Sequence, residues 1–261
     1  MKKRMTRLQY RRLQRTMPWI VAGGLLIFWE IACASFDVRP AVLPRPTAIA
    51  ASLYQYFPII MRQVGQTLMS TLIGFSLAVV AGLGLGMLIG ASSLAYAGLY
   101  SLLVGFNSVP KVALVTVFVI WFGIGTIPAV LTAFALSFFP IVVNVATGIA
   151  TIEPELRDVL RSLRAREDQI LLKIGLPRCL PYFFGSLKIA ISSAFVGSIT
   201  SETIASNNGI GYLMIWASSQ FDVPLIFAAI SVVGVLGILL YQLFSAIERR
   251  TTGWAQRGAH N

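Results

Sequence analysis

Long apolar blocks alternate with polar segments along this chain, and the blocks contain few charges. The six blocks cover residues 18–36, 66–91, 96–122, 127–150, 182–205 and 224–247. A helix rises about 1.5 Å per residue, so a block of this length spans a bilayer hydrocarbon core of about 30 Å. Because no water is available there to satisfy the backbone, each block must be helical. The pattern therefore predicts an all-α membrane protein with about six transmembrane helices.

The polar segments divide the chain into a basic N-terminus (1–17), one membrane domain (18–247) and a tail (248–261). Residues 37–62 contain four prolines and predict a loop with a short surface helix. Residues 107–111, which read Asn-Ser-Val-Pro-Lys, interrupt the third block. The first block imitates a signal peptide, but Glu30 lies within it and no clean cleavage site follows. This indicates a retained first helix.

The basic residues predict the orientation in the membrane. Of 21 lysines and arginines, seven lie in the first fifteen positions, six in residues 151–180 and three in the tail. Because basic residues are enriched in cytoplasmic loops, both termini and the 151–180 segment are predicted to be cytoplasmic. The net charge is +11, and the basic residues that produce it flank the apolar blocks. This distribution indicates contact with membrane lipid and argues against binding of nucleic acid. Cys33 and Cys179 then lie near opposite faces, so no disulfide is expected.

Glycines recur every fourth residue in the second block, at Gly82, Gly86 and Gly90, with Gly84 between them. In an apolar helix this spacing forms a face that a neighbouring backbone can approach closely. The alternative, a phosphate-binding loop, does not fit the G-x-G-x-x-G spacing.

The polar segment 151–180 predicts two short helices. Pro154 suits the first turn of a helix, where Glu155 and Asp158 are favoured by the helix dipole. The apolar residues that follow have the i, i+3, i+4, i+7 spacing of one helix face: Leu156, Val159, Leu160 and Leu163. A second start signal occurs at Glu167-Asp168, and we expect Gly175 to stop that helix and Pro177 to prevent its resumption. The leucine face lies on the membrane or on this protein's own helix ends, or it inserts into a groove on a soluble partner.

This segment resembles the EAA loop of binding-protein-dependent ABC transporter permeases. In that family Glu-Ala-Ala, three residues and Gly are followed by Ile-x-Leu-Pro. Here Asp158-Val159-Leu160 stands in place of Glu-Ala-Ala, Arg164 in place of Gly, and Ile174-Gly175-Leu176-Pro177 matches the closing pattern. Glycine gives freedom to turn between two coupling helices, which Arg164 lacks. We therefore expect the docking geometry to differ.

Further segments resemble the branch of this family that imports nitrate, sulfonates, taurine and pyrimidine precursors. They are Leu43-Pro44-Arg45-Pro46, Pro110–Leu114, Trp121–Gly125, Phe138–Ile141 with Asn144, and Glu202 with Gly209–Leu213. The resemblance implies a type I importer permease in a bacterial inner membrane. It implies a homodimer, a cytoplasmic ABC ATPase dimer, and a periplasmic or lipoprotein substrate-binding protein. The implied coupling loop comprises Glu155, Leu156, Asp158, Val159, Leu160, Leu163, Arg164, Ala165, Ile174, Leu176 and Pro177.

Polar residues within the apolar blocks are candidates for the translocation pathway, because a buried charge in a membrane is costly. They are Asn107, Ser108, Lys111, Asn144 and Glu202. Each has a structural alternative: Lys111 capping a broken helix, Asn144 bonding a neighbouring helix, and Glu202 extending to the interface. We expect Glu30 to anchor the first helix, and Lys188 to extend toward the membrane surface.

Two other classes of protein fit less well. A membrane enzyme lacks its chemistry here, because His260 is the only histidine and no catalytic or metal-binding motif occurs. The chain has no G-x-x-x-x-G-K-[ST] motif, so ATP and Mg²⁺ are expected on a partner and no cofactor on this chain. A secondary transporter or channel would need no two-helix docking segment, and the internal repeats common in such proteins are not evident.

Overall fold

The computed structural model describes residues 7–252, apart from residues 152, 153, 171, 172 and 174. This part of the chain is helical and contains no strands. The helices are α1 (Arg7–Ser35), α2 (Pro46–Gln55), α3 (Phe57–Ala91), α4 (Ser93–Asn107), α5 (Lys111–Phe122), α6 (Thr126–Ala150), α7 (Pro154–Ser162), α8 (Glu167–Ile170), α9 (Leu176–Ala205), α10 (Ile210–Ser219) and α11 (Val223–Thr252).

Five stretches of the described chain are long and apolar enough to cross a membrane. They lie in α1, α3, α6, α9 together with α10, and α11. The predicted interruption of the third block is confirmed, because the short apolar helix α4 ends at Asn107 and the short apolar helix α5 begins at Lys111. Pro110 explains the break, since it lacks an amide hydrogen and precedes the first residue of α5.

α3 and α6 run parallel and pack closely. Gly74 of α3 faces Ala133 of α6, and Gly90 faces Ile149. Because α3 and α6 cross the membrane in the same direction, the chain must cross back between them, and α4 and α5 together make that crossing. With the five long spans, this gives six crossings in the described part of the chain. The basic N-terminal segment is helical from Arg7 and continuous with the first span.

The predicted glycine face lies at this α3–α6 contact. A Cβ at Gly82, Gly86 or Gly90 would lie within 3.0 Å of α6 atoms, whereas Gly84 has no neighbour within 4 Å. The face extends to Gly74, which the sequence pattern did not include. Close helix packing is therefore confirmed for the three predicted glycines.

α9 runs antiparallel to α6 and completes a three-helix core. Gly148 of α6 contacts Cys179 near the start of α9, and Gly197 contacts Thr132 near the other end of α6. The core cluster is made of small and branched side chains from α3, α6 and α9. Cys33 and Cys179 are both buried free thiols.

The outer helices are held by individual polar contacts. Glu30 of α1 accepts hydrogen bonds from the backbone N and Oγ1 of Thr47, at 3.1 and 2.9 Å, and so caps α2. This confirms its predicted anchoring role. Lys188 of α9 forms an ion pair with Glu248 of α11 at 2.5 Å. Glu248 is the first residue of the predicted tail, so the Lys188 side chain extends toward this end of α11, and its approach to the membrane surface stays a prediction.

Candidate functional site

The helix α7 presents apolar side chains that the protein itself does not cover. Val159 is 57% exposed and Leu163, the residue directly after α7, is 74% exposed, while Leu160 is half-buried. Glu155 and Asp158 are also exposed; the side chain of Leu156 lies outside the described part. A nine-residue helix is too short to be stable alone in water. Its exposed apolar face is therefore available to a partner.

The turn after α7 forms with Arg164 in the left-handed backbone region, at φ 59°. The backbone N of Ala165 donates to the carbonyl of Leu160 at 3.0 Å, the long bond of a Schellman C-cap. This is the position where the resembling family has glycine. Arg164 thus adopts the conformation that we expected it to disfavour, at an energetic cost.

α8 begins at Glu167, as predicted. The side-chain Oε1 of Gln169 accepts from the backbone N of Arg166 at 3.1 Å, which is half of a capping box. Ile170 is buried and fixes this short helix against the protein. Ala165 is half-buried between the two helices, and Ile174 lies outside the described residues.

The closing part of the loop differs from the prediction. Gly175 has helical φ and ψ angles of −58° and −54°, and Pro177 lies in the first turn of α9. The prediction that Gly175 stops a helix and Pro177 prevents its resumption is therefore wrong. Proline is favoured in a first turn, where no amide hydrogen is needed. Leu176 packs against the core, so the coupling loop continues directly into a long core helix.

The pathway candidates do not form one cluster. Lys111 begins α5, and its Nζ lies 5.8 Å from the ring centroid of Phe139 in α6. Asn144, one turn further along α6, donates from Nδ2 to the carbonyl of Pro140 at 2.7 Å, within its own helix. Ser108 is exposed in the α4–α5 break, and the side chain of Asn107 lies outside the described part. Lys111 and Asn144 are therefore both associated with α6.

Glu202 lies elsewhere, at the end of the core opposite the coupling loop. It is 2% exposed, so it does not extend to the interface. Its Oε2 accepts from Thr67 Oγ1 at 2.7 Å and from the backbone N of Gly211 at 3.2 Å. Within the described part of the chain its Oε1 is buried without a partner. Glu202 therefore joins α9 to α3 and α10.

Two residues that sequence reasoning missed complete this arrangement. Thr67 Oγ1 accepts from the backbone N of Ile210 at 2.8 Å, and Gln63 Oε1 accepts from that of Gly209 at 2.7 Å. The cap residue of α10 and its first two residues thus have side-chain acceptors from α3 and α9. We call Gln63, Thr67 and Glu202 the polar clamp. The sequence signal that could have found Gln63 and Thr67 is their spacing of four residues, which places two polar side chains on one face of α3.

Known proteins are similar to this chain in sequence over most of its length. A formylaminopyrimidine transport permease, ThiX of Halalkalibacterium halodurans, is 28% identical over 95% of this chain and 98% of its own. A nitrate import permease, NrtB of Synechocystis sp., is 26% identical over 88% of this chain and 87% of its own. These relatives belong to the importer branch indicated by the motifs.

A solved structure shares the fold. A chain of the MetNI methionine ABC transporter, in an inward-facing conformation, superposes with a TM-score of 0.67 at 19% identity, covering 76% of this chain and 98% of its own. The family model for the binding-protein-dependent transport system inner membrane component matches residues 78–253, which include the whole coupling loop. The chain therefore belongs to this family of inner-membrane permease components.

Proposed function

We propose that the chain forms the translocation pathway of an ATP-driven importer, as one of two identical permease subunits above a cytoplasmic ABC ATPase dimer. The observation that carries the proposal is the coupling loop. Val159 in α7 and Leu163 directly after it are exposed, and the loop ends where α9 begins. A partner that binds this apolar face can therefore move a core helix directly.

The energy source belongs to the partner. This chain lacks a phosphate-binding loop motif, so ATP and Mg²⁺ would be bound by the ATPase. Closure of the ATPase dimer would push α7. The displacement would pass to the core because Ile170 of α8 and Leu176 at the start of α9 attach the end of the loop to the protein. A helix bundle with two arrangements would then alternate access to the pathway.

The orientation follows from the six crossings. Because the number of crossings is even, the N- and C-terminal ends of the chain lie on the same side of the membrane. The basic residues favour the cytoplasm for that side. The coupling loop is then cytoplasmic, and the polar clamp lies toward the outer surface. A substrate-binding protein would deliver solute there.

The solute is a small anionic or heterocyclic compound. Relatives are named for formylaminopyrimidine, nitrate and aliphatic sulfonates. Lys111 lies at the break between two short helices within the membrane region, over the ring of Phe139. A cation at such a site attracts anionic groups, and the adjacent ring suits a planar compound.

Co-purification with the candidate ATPase tests the coupling. Leu163→Glu places a charge on the exposed apolar face, whereas Ser162→Glu places the same charge on the neighbouring exposed residue, the last of α7. We expect the wild type and Ser162→Glu to retain the ATPase and Leu163→Glu to lose it. Retention by all three, or by none although all fold, would contradict docking through α7. The second outcome would favour a channel or secondary transporter.

A further inference from the structure

The last turns of α11 lie at the depth of the membrane surface. This helix runs from Val223 to Thr252 and has no charged residue before Glu248. About 20 apolar residues cross a hydrocarbon core of about 30 Å, so a span counted from Val223 ends near residue 243. At about 1.5 Å per residue, residues 244–252 extend about 13 Å further. They therefore lie in the headgroup region of the bilayer.

A groove of about 570 Å³ follows this end of α11. Within the described part of the chain, six residues of the helix line it: Tyr241, Gln242, Ser245, Ala246, Arg249 and Arg250. Sites for small ligands usually have volumes of about 300–1,000 Å³. The groove is therefore large enough for a ligand headgroup, and its lining becomes cationic toward the end of the helix.

The cations of the groove are available to an anion. Arg249 and Arg250 are exposed, and neither forms an ion pair with any described residue. The neighbouring carboxylate of Glu248 points instead toward α9, where it pairs with Lys188 at 2.5 Å. Guanidinium groups bind phosphate oxygens through paired N–H donors. The groove therefore has the charge and the donors for a phosphate group.

An uncovered apolar stripe continues from the groove into the membrane region. Val235, Ile238 and Leu239 are all more than half exposed, and they lie one to two turns before Gln242 on the same side of α11. Tyr241 is also exposed and lies between the stripe and the arginines, at the boundary where aromatic rings are favoured. The helix thus offers apolar surface at the depth of the acyl chains and cationic surface at the depth of the headgroups.

This order along α11 favours a phospholipid over other occupants. A free phosphate ion would use the arginines and leave the apolar stripe uncovered. A second copy of the chain, placed on the same face across a twofold axis, would bring four arginines together. Repulsion between like charges disfavours that arrangement. An anionic phospholipid satisfies both parts of the surface at once.

From these observations we propose that the end of α11 binds an anionic phospholipid. Arg249 and Arg250 hold its phosphate, and its acyl chains follow Val235, Ile238 and Leu239. Basic pockets at the ends of transmembrane helices bind anionic headgroups by the same electrostatic attraction. The proposal goes beyond the transport function and requires only that α11 crosses the membrane. A failure of ATPase binding would therefore leave it unaffected.

Native mass spectrometry of the full-length permease in detergent tests the site. The protein is titrated with dioleoylphosphatidylglycerol, which is anionic, or with dioleoylphosphatidylcholine, which has the same acyl chains and no net charge. The groove variant carries Arg249→Gln and Arg250→Gln. Its matched control carries Arg39→Gln and Arg62→Gln, which remove two exposed arginines outside the groove and change the net charge equally.

We expect the wild type and the control to prefer phosphatidylglycerol to phosphatidylcholine. The groove variant should bind phosphatidylglycerol about thirtyfold more weakly, about fivefold for each arginine. Equal weakening in both double variants would show an effect of net charge alone and overturn the proposal, as would equal binding of the two lipids. Displacement of the lipid by inorganic phosphate would identify a site for a free anion instead. Conversion of a dimer into a monomer by the groove variant would identify a contact between copies instead.

A second variant keeps the test informative if the groove variant does not fold. Ala246 is exposed and lines the groove, so Ala246→Trp fills space there without changing the charge. We expect it to weaken phosphatidylglycerol binding about fivefold, as the loss of one arginine contact would. Ala50→Trp, at an exposed position of α2, is its control and should bind as the wild type does. Unchanged binding by Ala246→Trp would overturn the site.

Discussion

The closest contact between core helices predicts a strong effect for Gly74→Ala. A Cβ at Gly74 would lie 2.4 Å from the carbonyl oxygen of Val130, 2.7 Å from Cβ of Ala133 and 2.9 Å from the backbone N of Phe134. Two of these three atoms belong to the α6 backbone, which cannot rotate away. Gly84→Ala is the matched control, because it lies in the same helix with no neighbour within 4 Å.

The size of the effect follows from the separation required. Ordinary contact begins at 3.4 Å, so 2.4 Å leaves the Cβ and the Val130 oxygen closer than contact by about 1 Å. Overpacking of this kind costs about 1–3 kcal/mol. Both variants gain the same helix propensity of alanine over glycine, about 1 kcal/mol, which cancels in their difference. We therefore expect Gly74→Ala to be less stable than Gly84→Ala by about 2 kcal/mol.

The two native cysteines provide the assay. Cys33 and Cys179 are buried, so a fluorogenic maleimide reports thermal unfolding in detergent. A loss of about 2 kcal/mol corresponds to a decrease in the unfolding midpoint of about 4–8 °C. The midpoint of Gly84→Ala should equal or exceed that of the wild type. Equal midpoints for the two variants would refute the parallel α3–α6 contact as the determinant of core stability.

Other contacts give further predictions. Arg164→Gly should relieve a left-handed conformation that costs about 1 kcal/mol and slow amide hydrogen exchange in α7; Arg164→Val should accelerate it, and equal rates would contradict the assigned turn. Lys188→Met should lower stability by about 1–3 kcal/mol by removing the ammonium that pairs with Glu248, and the loss in the Lys188→Met, Glu248→Met double variant should be smaller than the sum of the two single losses; additive losses would exclude the ion pair. Glu30→Ala should increase proteolysis of residues 37–45 by removing the acceptor that caps α2, whereas Glu30→Gln should retain most protection; equal cleavage would contradict the cap.

Hydrophobic patterning predicted the long helices because a bilayer leaves the backbone no alternative to helix. It predicted the glycine face from the spacing of Gly82, Gly86 and Gly90. Gly74 escaped that reasoning although Ala78, a buried small residue, continues the four-residue spacing between Gly74 and Gly82. The break in the third block was predictable as well, since the polar residues and Pro110 in the segment 107–111 interrupt the apolar run.

The coupling loop was predictable because its signals are local: a proline, an acidic first turn and four apolar residues at helical spacing. The conformation of Arg164 was not, since the C-cap imposes a left-handed angle that arginine disfavours by itself. The polar clamp escaped because its members are distant in sequence. Thr67 bonds a residue 135 positions away, and Gln63 bonds one 146 positions away. Only the packing of α3, α9 and α10 brings them together.

The way the helices contact one another determines which of them can shift. α6 meets both α3 and α9 through glycines that bring a neighbouring helix into backbone contact, at Gly74 and Gly90 on one side and Gly197 on the other. Sliding at such contacts would force side chains into backbone, so these three helices must move as one body. α10 is joined to this body by its hydrogen bonds to the polar clamp, by a buried apolar cluster that includes Ile210 and Leu213, and by the contact of Gly211 with the α9 backbone. A displacement of the coupling loop is therefore expected to reach the opposite end of α9 through this packed body.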